Sequence, residues 1–156
     1  MCESARLHNP SNQDWRWCQI AWCSPEYQSA LELRHRVLRE PLGLKFTAEE
    51  LDAEATQWHF AGMLGGRLVA TLTAQTLADG SVKLRQMAVE PEFQRQGWGR
   101  RLLDEVEQHM AEHGHRFLVL HARQSAVDFY TAGGYQPEGE PFVEVGLPHR
   151  RMVKKL

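Results

Sequence analysis

SVKLRQMAVEPEFQRQGWGRRLLDEVEQHMAEHGHRFLVL, residues 81–120, reads as a strand, a glycine turn, a helix and a second strand. Leu102, Leu103, Val106 and Met110 fall on one helical stripe, and Gly114 is a natural C-terminal stop. Phe117 to Leu120 is a short continuous apolar run, the mark of a strand buried on both faces. Two strands joined by a helical crossover pair in parallel, so the stretch predicts a βαβ unit.

Upstream, Gln57 to Leu64 turns at Gly65-Gly66 into Arg67 to Thr76, and Asp79-Gly80 turns again into Ser81 to Val89. Two glycine hairpin signals so close together predict an antiparallel meander. Thr47-Ala48-Glu49-Glu50 matches a capping box and predicts a short acidic helix from Ala48 to Ala55. Ser24 as N-cap and Pro25 at the first helical position open an earlier helix, which Leu31, Val37 and Leu38 carry to about Arg39 before Pro41 ends it. WRWCQIAWC, from Trp15, reads as a first strand with its tryptophans in the core. Downstream, a helix from Ser125 to Ala132 ends at Gly133-Gly134, followed by strands around Tyr135 and from Val143 to Val153. The expected fold class is α/β with a mixed sheet, antiparallel first and parallel at one point. With no internal repeat or linker, residues 1–156 read as a single domain.

Composition narrows the function classes. The 156 residues carry 18 Lys+Arg against 20 Asp+Glu, a formal net charge of −2. That balance argues against nucleic acid as a partner, because a strongly basic face supplies most of such affinity. The longest uncharged run, Leu68 to Ala78, falls short of the roughly 18 apolar residues of a membrane span. The first residues show no basic start followed by an apolar stretch, so no secretory signal is expected. Cys2, Cys18 and Cys23 form an odd, clustered set with no CxxC spacing, which predicts reduced thiols and a cytoplasmic protein. His109, His113 and His115 lack an HExxH pattern or a neighbouring cysteine and read as surface histidines at a helix end, so no metal is expected.

The chemistry centres on Gln94-Arg95-Gln96-Gly97-Trp98-Gly99-Arg100-Arg101. Where a strand hands over to a helix, successive backbone N–H groups converge, the helix dipole adds positive potential, and glycine lets an anion approach closely. A phosphate or pyrophosphate fits such a turn, with Arg95, Arg100 and Arg101 adding charge. It is not a Walker loop, because GxxxxGK[ST] is absent, nor a dinucleotide fingerprint, because Leu102 stands where a third small residue is needed.

Gln94, Gly97 and Gly99 form Q-x-x-G-x-G after the strand LRQMAVEPEF, which resembles the acyl-CoA loop of the GNAT N-acetyltransferase superfamily. AVDFYTAGGYQ resembles that family's FYxxxGF segment. FVEVGLPHRRM resembles the FxExGIPHxxM ending of its ElaA-like branch, and LRHRVLRE with EELDAEATQWHF resembles the branch's first helix and acidic segment. The resemblance spans roughly residues 30 to 156, with four strings in the family's order.

It implies a GNAT-like mixed sheet, flanked by helices, with parallel fourth and fifth strands splayed for acetyl-CoA. Met87, Ala88 and Val89 would pair with the pantetheine amides. Gln94, Arg95, Gln96, Gly97, Trp98, Gly99, Arg100 and Arg101 would hold the pyrophosphate, and Gln124, Phe129 and Tyr130 would complete the cofactor side. Tyr130 matches the family's general acid: a phenol with pKa near 10 can protonate the departing CoA thiolate. The protonated acceptor amine must lose a proton before attack, and several relatives use a fourth-strand glutamate for this. The matching stretch here offers Lys83 and Arg85, so no base is assigned there. Substrate-side candidates are Glu54, His59, His121, Glu144 and His149, with the last two ranked first because they belong to the tail motif. Glu40-Pro41 and Ala122-Arg123-Gln124 depart from the branch's EQ and AQ, which points to a different acceptor preference. The implied activity is acetyl transfer to an amine, with a homodimer as the family-level expectation. The rivals are a silent acyl-CoA sensor and an acyltransferase with another donor or an alcohol acceptor.

Overall fold

Six residues, Trp15–Ile20, form the first strand, β1, with Trp15, Cys18 and Ile20 buried, and antiparallel β2 (Trp58–Leu64) and β3 (Arg67–Thr76) follow it. In this computed structural model residues 14–156 are described. β1 pairs with β2 from Trp15↔Leu64 to Ile20↔His59, and β2 pairs with β3 across the Gly65-Gly66 turn, with a bulge at Gly62/Met63. A Cβ on Gly62 would collide with the Trp15 indole, so this strand position requires glycine.

The chain divides into two compact units, and β4 (Val82–Val89) contributes to both. The first unit takes the residues up to Ala74 together with Gln86–Val106. Its core joins Cys18, Ile20, Ala61, Leu68 and Ala88 of the strands to helix α1 (Pro25–Arg34) through Tyr27, Ala30 and Leu33. Ser24 caps α1 by accepting from the Tyr27 amide at 3.1 Å, as its sequence predicts. The helical path continues to Arg39, but His35–Arg39 is a π turn, followed by a 3-10 turn over Glu40–Leu42. The buried face of α1 is Tyr27, Ala30, Leu33 and Arg34, whereas Leu31, Val37 and Leu38 are only half-buried beside it. Helix α2 (Ala48–Ala53) has both halves of the predicted capping box, between Thr47 and Glu50, and ends in a 3-10 turn over Glu54–Thr56.

The second unit comprises Gln75–Arg85 and Glu107–Leu156. Here β4 runs parallel to β5 (Phe117–Arg123), with Val82–Leu84 in register against Leu118–Leu120. β5 pairs antiparallel with β8 (Leu147–Lys155), which also carries β6 (Gln136–Pro137) and β7 (Phe142–Glu144). The mixed sheet with one parallel pair, flanked by helices, is the fold class expected. Two details differ. Phe117 is 54% exposed, so only Leu118–Leu120 of the apolar run is interior. The strand expected from Val143 to Val153 is a hairpin, β7 and β8, folded at Val145-Gly146 with φ of 46° and 77°.

Helix α3 (Trp98–Glu112) begins in the first unit and ends in the second. Leu102, Leu103, Val106 and Met110 are fully buried, each burial favouring the fold by about 2–3 kcal/mol. Gly114, at φ 85°, lets the chain turn back after the helix. Helix α4 (Val127–Ala132) follows a 3-10 turn over Gln124–Ala126 and closes at Gly133.

Cys18 is disulfide-bonded and Cys23 is free, so the expectation of reduced thiols is corrected and loses its bearing on compartment. Cys2 lies outside the described residues. Among the described residues no helix is long and apolar enough to cross a membrane.

Candidate active site

The anion turn is built in the first unit. After β4 and a 3-10 turn over Pro91–Phe93, Gln94–Gly97 turn sharply, with Arg95 and Gly97 at φ of 60° and 89°. Gly97 accepts the Arg101 amide at 3.0 Å, the first i→i−4 bond of α3, so it stands at the helix N-cap. The amides of Trp98, Gly99 and Arg100 consequently have no acceptor within the helix and face outward from its positive end. A Cβ on Gly97 would meet nothing within 4 Å; the space above the turn is open.

Side chains hold this turn rather than fill it. Gln94 Nε2 donates to the Val89 carbonyl at 2.9 Å, and Gln96 Nε2 to the Glu92 carbonyl at 3.0 Å. Trp98 Nε1 donates to Gln96 Oε1 at 3.2 Å, and its ring stacks on Trp15 with centroids 5.4 Å apart. The Arg101 guanidinium lies 5.3 Å from both rings, a cation–π arrangement that holds its charge near the start of α3. Arg36 grips Glu90 through two bonds of 2.9 and 2.7 Å, and Arg67 reaches Glu92 at 2.6 Å. The Arg36 bonds hold the buried Glu90 carboxyl below the usual carboxylate range. Sequence reading missed both clamps, because their arginines lie 54 and 25 residues before the glutamates they hold.

On β4, Met87 and Val89 are half-buried while Ala88 belongs to the core, so alternate residues present different faces. Just before them Gln86 takes a left-handed φ of 56°, a break in strand geometry of the kind that re-aims the following residues.

In the second unit, Tyr130 on α4 is 8% exposed. Phe129 and Tyr135 meet its ring edge-on, at 5.0 and 5.6 Å. Its carbonyl accepts the amides of Gly133 and Tyr135 at 2.9 and 3.1 Å, which ties the end of α4 to the next strand. Tyr135 donates in turn to Glu107 at 2.7 Å, and Lys154 reaches the same carboxylate at 3.0 Å. Gln124 is exposed in the 3-10 turn before α4.

The five substrate-side candidates fall into two groups. Glu54 and His59 lie in the core of the first unit. Glu54 accepts two bonds from Arg34, at 2.7 and 2.5 Å, and one from the Tyr27 hydroxyl at 2.7 Å. Burial alone would raise the Glu54 carboxyl, but the Arg34 bonds and charge hold it below its ordinary range. Burial, then the bond to Glu54, pushes Tyr27 up to about 12. His59 donates from Nε2 to the Glu54 carbonyl at 2.9 Å and accepts from the Thr73 hydroxyl at Nδ1, 3.4 Å; burial depresses its pKa and keeps it neutral.

His121, Glu144 and His149 are brought together on the second unit's sheet. His121 Nδ1 lies 3.1 Å from Glu144 Oε1, and His149 Nε2 lies 3.7 Å from Oε2. His149 Nδ1 donates to the Leu147 carbonyl at 2.8 Å, which orients the ring with Nε2 toward Glu144. Phe142 sits between the rings, edge-on to His121 at 4.9 Å and stacked on His149 at 5.9 Å. Reading the tail as one strand hid Phe142, since only the hairpin places it across from His149.

The chain matches the Acetyltransferase (GNAT) domain over residues 35–156. An uncharacterised Bacillus subtilis protein, YyaT, is 30% identical over 76 residues, 49% of this chain and 51% of its own, so the chain spans about half of that relative. A Lactobacillus plantarum structure assigned as an N-acetyltransferase superposes with TM-score 0.78 at 25% identity, covering 90% of this chain and 98% of that one. Escherichia coli ElaA superposes at 0.77 with 20% identity over 90% of this chain and 99% of its own. An Elizabethkingia anophelis GNAT acetyltransferase solved with acetyl-CoA bound reaches 0.71 at 15% identity, covering 91% and 98%. With the left-handed glycine turn opening α3 and the parallel strand pair already in place, the domain match over most of the chain shows that this protein belongs to the GNAT acetyltransferase family.

Proposed function

We propose that residues 1–156 act as one domain that transfers the acetyl group of acetyl-CoA directly to a primary amine. The observation that carries this reading is the open, left-handed turn at Arg95 and Gly97 before α3, in a chain of a family of acetyltransferases. Its outward amides and Arg95, Arg100 and Arg101 suit a pyrophosphate. Met87, Ala88 and Val89 offer strand backbone to the pantetheine amides.

In the reaction the amine nitrogen bonds to the thioester carbonyl carbon and the C–S bond breaks. The Tyr130 phenol gives its proton to the departing thiolate, with Phe129 and Tyr135 fixing the ring. The proton lost by the amine goes to the Glu144 carboxylate, with His149 Nε2 3.7 Å from its other oxygen. Glu54 and His59 are withdrawn from this role, since their hydrogen bonds are spent inside the core. No covalent enzyme intermediate is required.

The test is acetylation of an amine panel by wild type and Tyr130→Phe. Transfer by the wild type, slowed by about 100-fold or more in the variant with acetyl-CoA affinity retained, supports the reading. Equal rates remove Tyr130 from the mechanism, and acetyl-CoA binding without any transfer favours a silent sensing module.

A further inference from the structure

Strand register gathers an unusual set of charges on one face of the second unit's sheet. Lys83 lies opposite Val119 on β5, and His121, two residues on, lies opposite Arg151 on β8. Alternation puts Lys83, Arg85, His121, His149 and Arg151 on that face. Glu144 reaches it through His121 and His149, at 3.1 and 3.7 Å. Arg151 holds the exposed Glu138 at 3.2 Å. Among the described residues Lys83 has no ion-pair partner, although it is nearly half-buried. Burial and then the like charge of Arg85 hold its amine below the ordinary lysine range; the Glu144 charge opposes this, and Arg151 adds to it.

Glu144 offsets only part of the like charge around this half-covered ammonium, so a further anion is favoured there. Glu144, beside the histidines of this face, is 45% exposed and able to meet an ammonium group. We infer that this face receives the acceptor, and that the acceptor is a primary amine also bearing a carboxylate or phosphate: the anion meets Lys83 and Arg151, the ammonium meets Glu144. The inference rests on the acetyl-transfer reading and names its substrate class. It also gives a physical role to the two fourth-strand cations that stand where a base was sought.

The experiment measures acetylation of β-alanine, glutamate and phosphoethanolamine against the uncharged or cationic partners β-alaninamide, ethanolamine and putrescine, with acetyl-CoA affinity determined on the same preparations. Anionic acceptors are expected to exceed their neutral partners by about tenfold in kcat/KM, as one close charge pair can supply. The carboxylate and phosphate arms identify which anion is preferred. Lys83→Gln should bring the ratio close to one through KM, and Lys83→Arg should restore it. Retained acetyl-CoA binding with neutral or cationic amines preferred, with no amine acetylated, or with a ratio indifferent to Lys83→Gln overturns the inference. Preference for neutral or cationic amines leaves the acetyltransferase reading intact, whereas loss of acetyl-CoA binding by the wild type overturns both.

Discussion

Two clusters in this chain are made from the same kinds of group and have opposite character. In the first unit, Glu54 meets Arg34, Tyr27 and, through its backbone, His59, with the Arg34 and Glu54 side chains 1% and 2% exposed. In the second, Glu144 lies between His121 and His149 and is 45% exposed. Both Glu54 oxygens are filled by short bonds from fixed donors. Glu144 has only a 3.1 Å contact to His121 and a longer approach to His149. A carboxylate saturated in the core holds structure; one half open to solvent can exchange a proton or bind an amine.

Breaking the buried cluster should give the larger effect. Glu54→Gln leaves the Arg34 charge uncompensated in the core and is expected to cost about 3–5 kcal/mol in chemical denaturation, while the remaining folded protein keeps its turnover per molecule. A comparable loss of turnover without loss of stability would place Glu54 in the reaction instead. Glu144→Gln should do the reverse, lowering kcat/KM by about 100-fold with stability changed by under about 1 kcal/mol. His149→Gln should lower turnover less, by about tenfold, because the partly exposed carboxylate remains; a pH–rate profile separates its proton role from simple packing.

The smallest effect sharpens the comparison through pH. His59 has a lowered pKa in the fold, so below the unfolded value near 6.5 the unfolded chain binds a proton that the native state refuses. Stability is therefore full above about pH 6.5 and falls as pH drops below it. Glu54, also lowered, contributes in full above its unfolded value and loses that contribution as pH falls through its folded one. His59→Gln should flatten the stability profile just below pH 6.5 by less than about 1.4 kcal/mol per pH unit, leaving the more acidic loss from Glu54 in place. An unchanged slope would mean that His59 is not held neutral.

Elements with local signals were legible. The capping box at Thr47, the hairpin at Gly65-Gly66 and the stripe through Leu102, Leu103, Val106 and Met110 each depend on residues close in sequence. What escaped was decided by tertiary or strained structure. Arg34 occupies the buried face of α1 only because Glu54, 20 residues away, neutralises it. The turn at Val145-Gly146 puts a β-branched residue at positive φ, where sequence reasoning places none, and so the His121–Glu144–His149 cluster was readable as candidates but not as one assembly. The π turn at His35–Arg39 likewise leaves no local signature in LRHRVLRE.

The central claim is that the glycine turn before α3 holds the co-substrate. Calorimetric titration with acetyl-CoA, comparing wild type with Gly97→Glu, tests it most directly, because the added side chain enters open space and brings bulk and negative charge to the turn. With thermal unfolding confirming that both proteins are folded, binding at about micromolar strength by the wild type and none by the variant is the predicted result. A folded wild type that does not bind acetyl-CoA, or a variant that binds it equally well, would contradict the account.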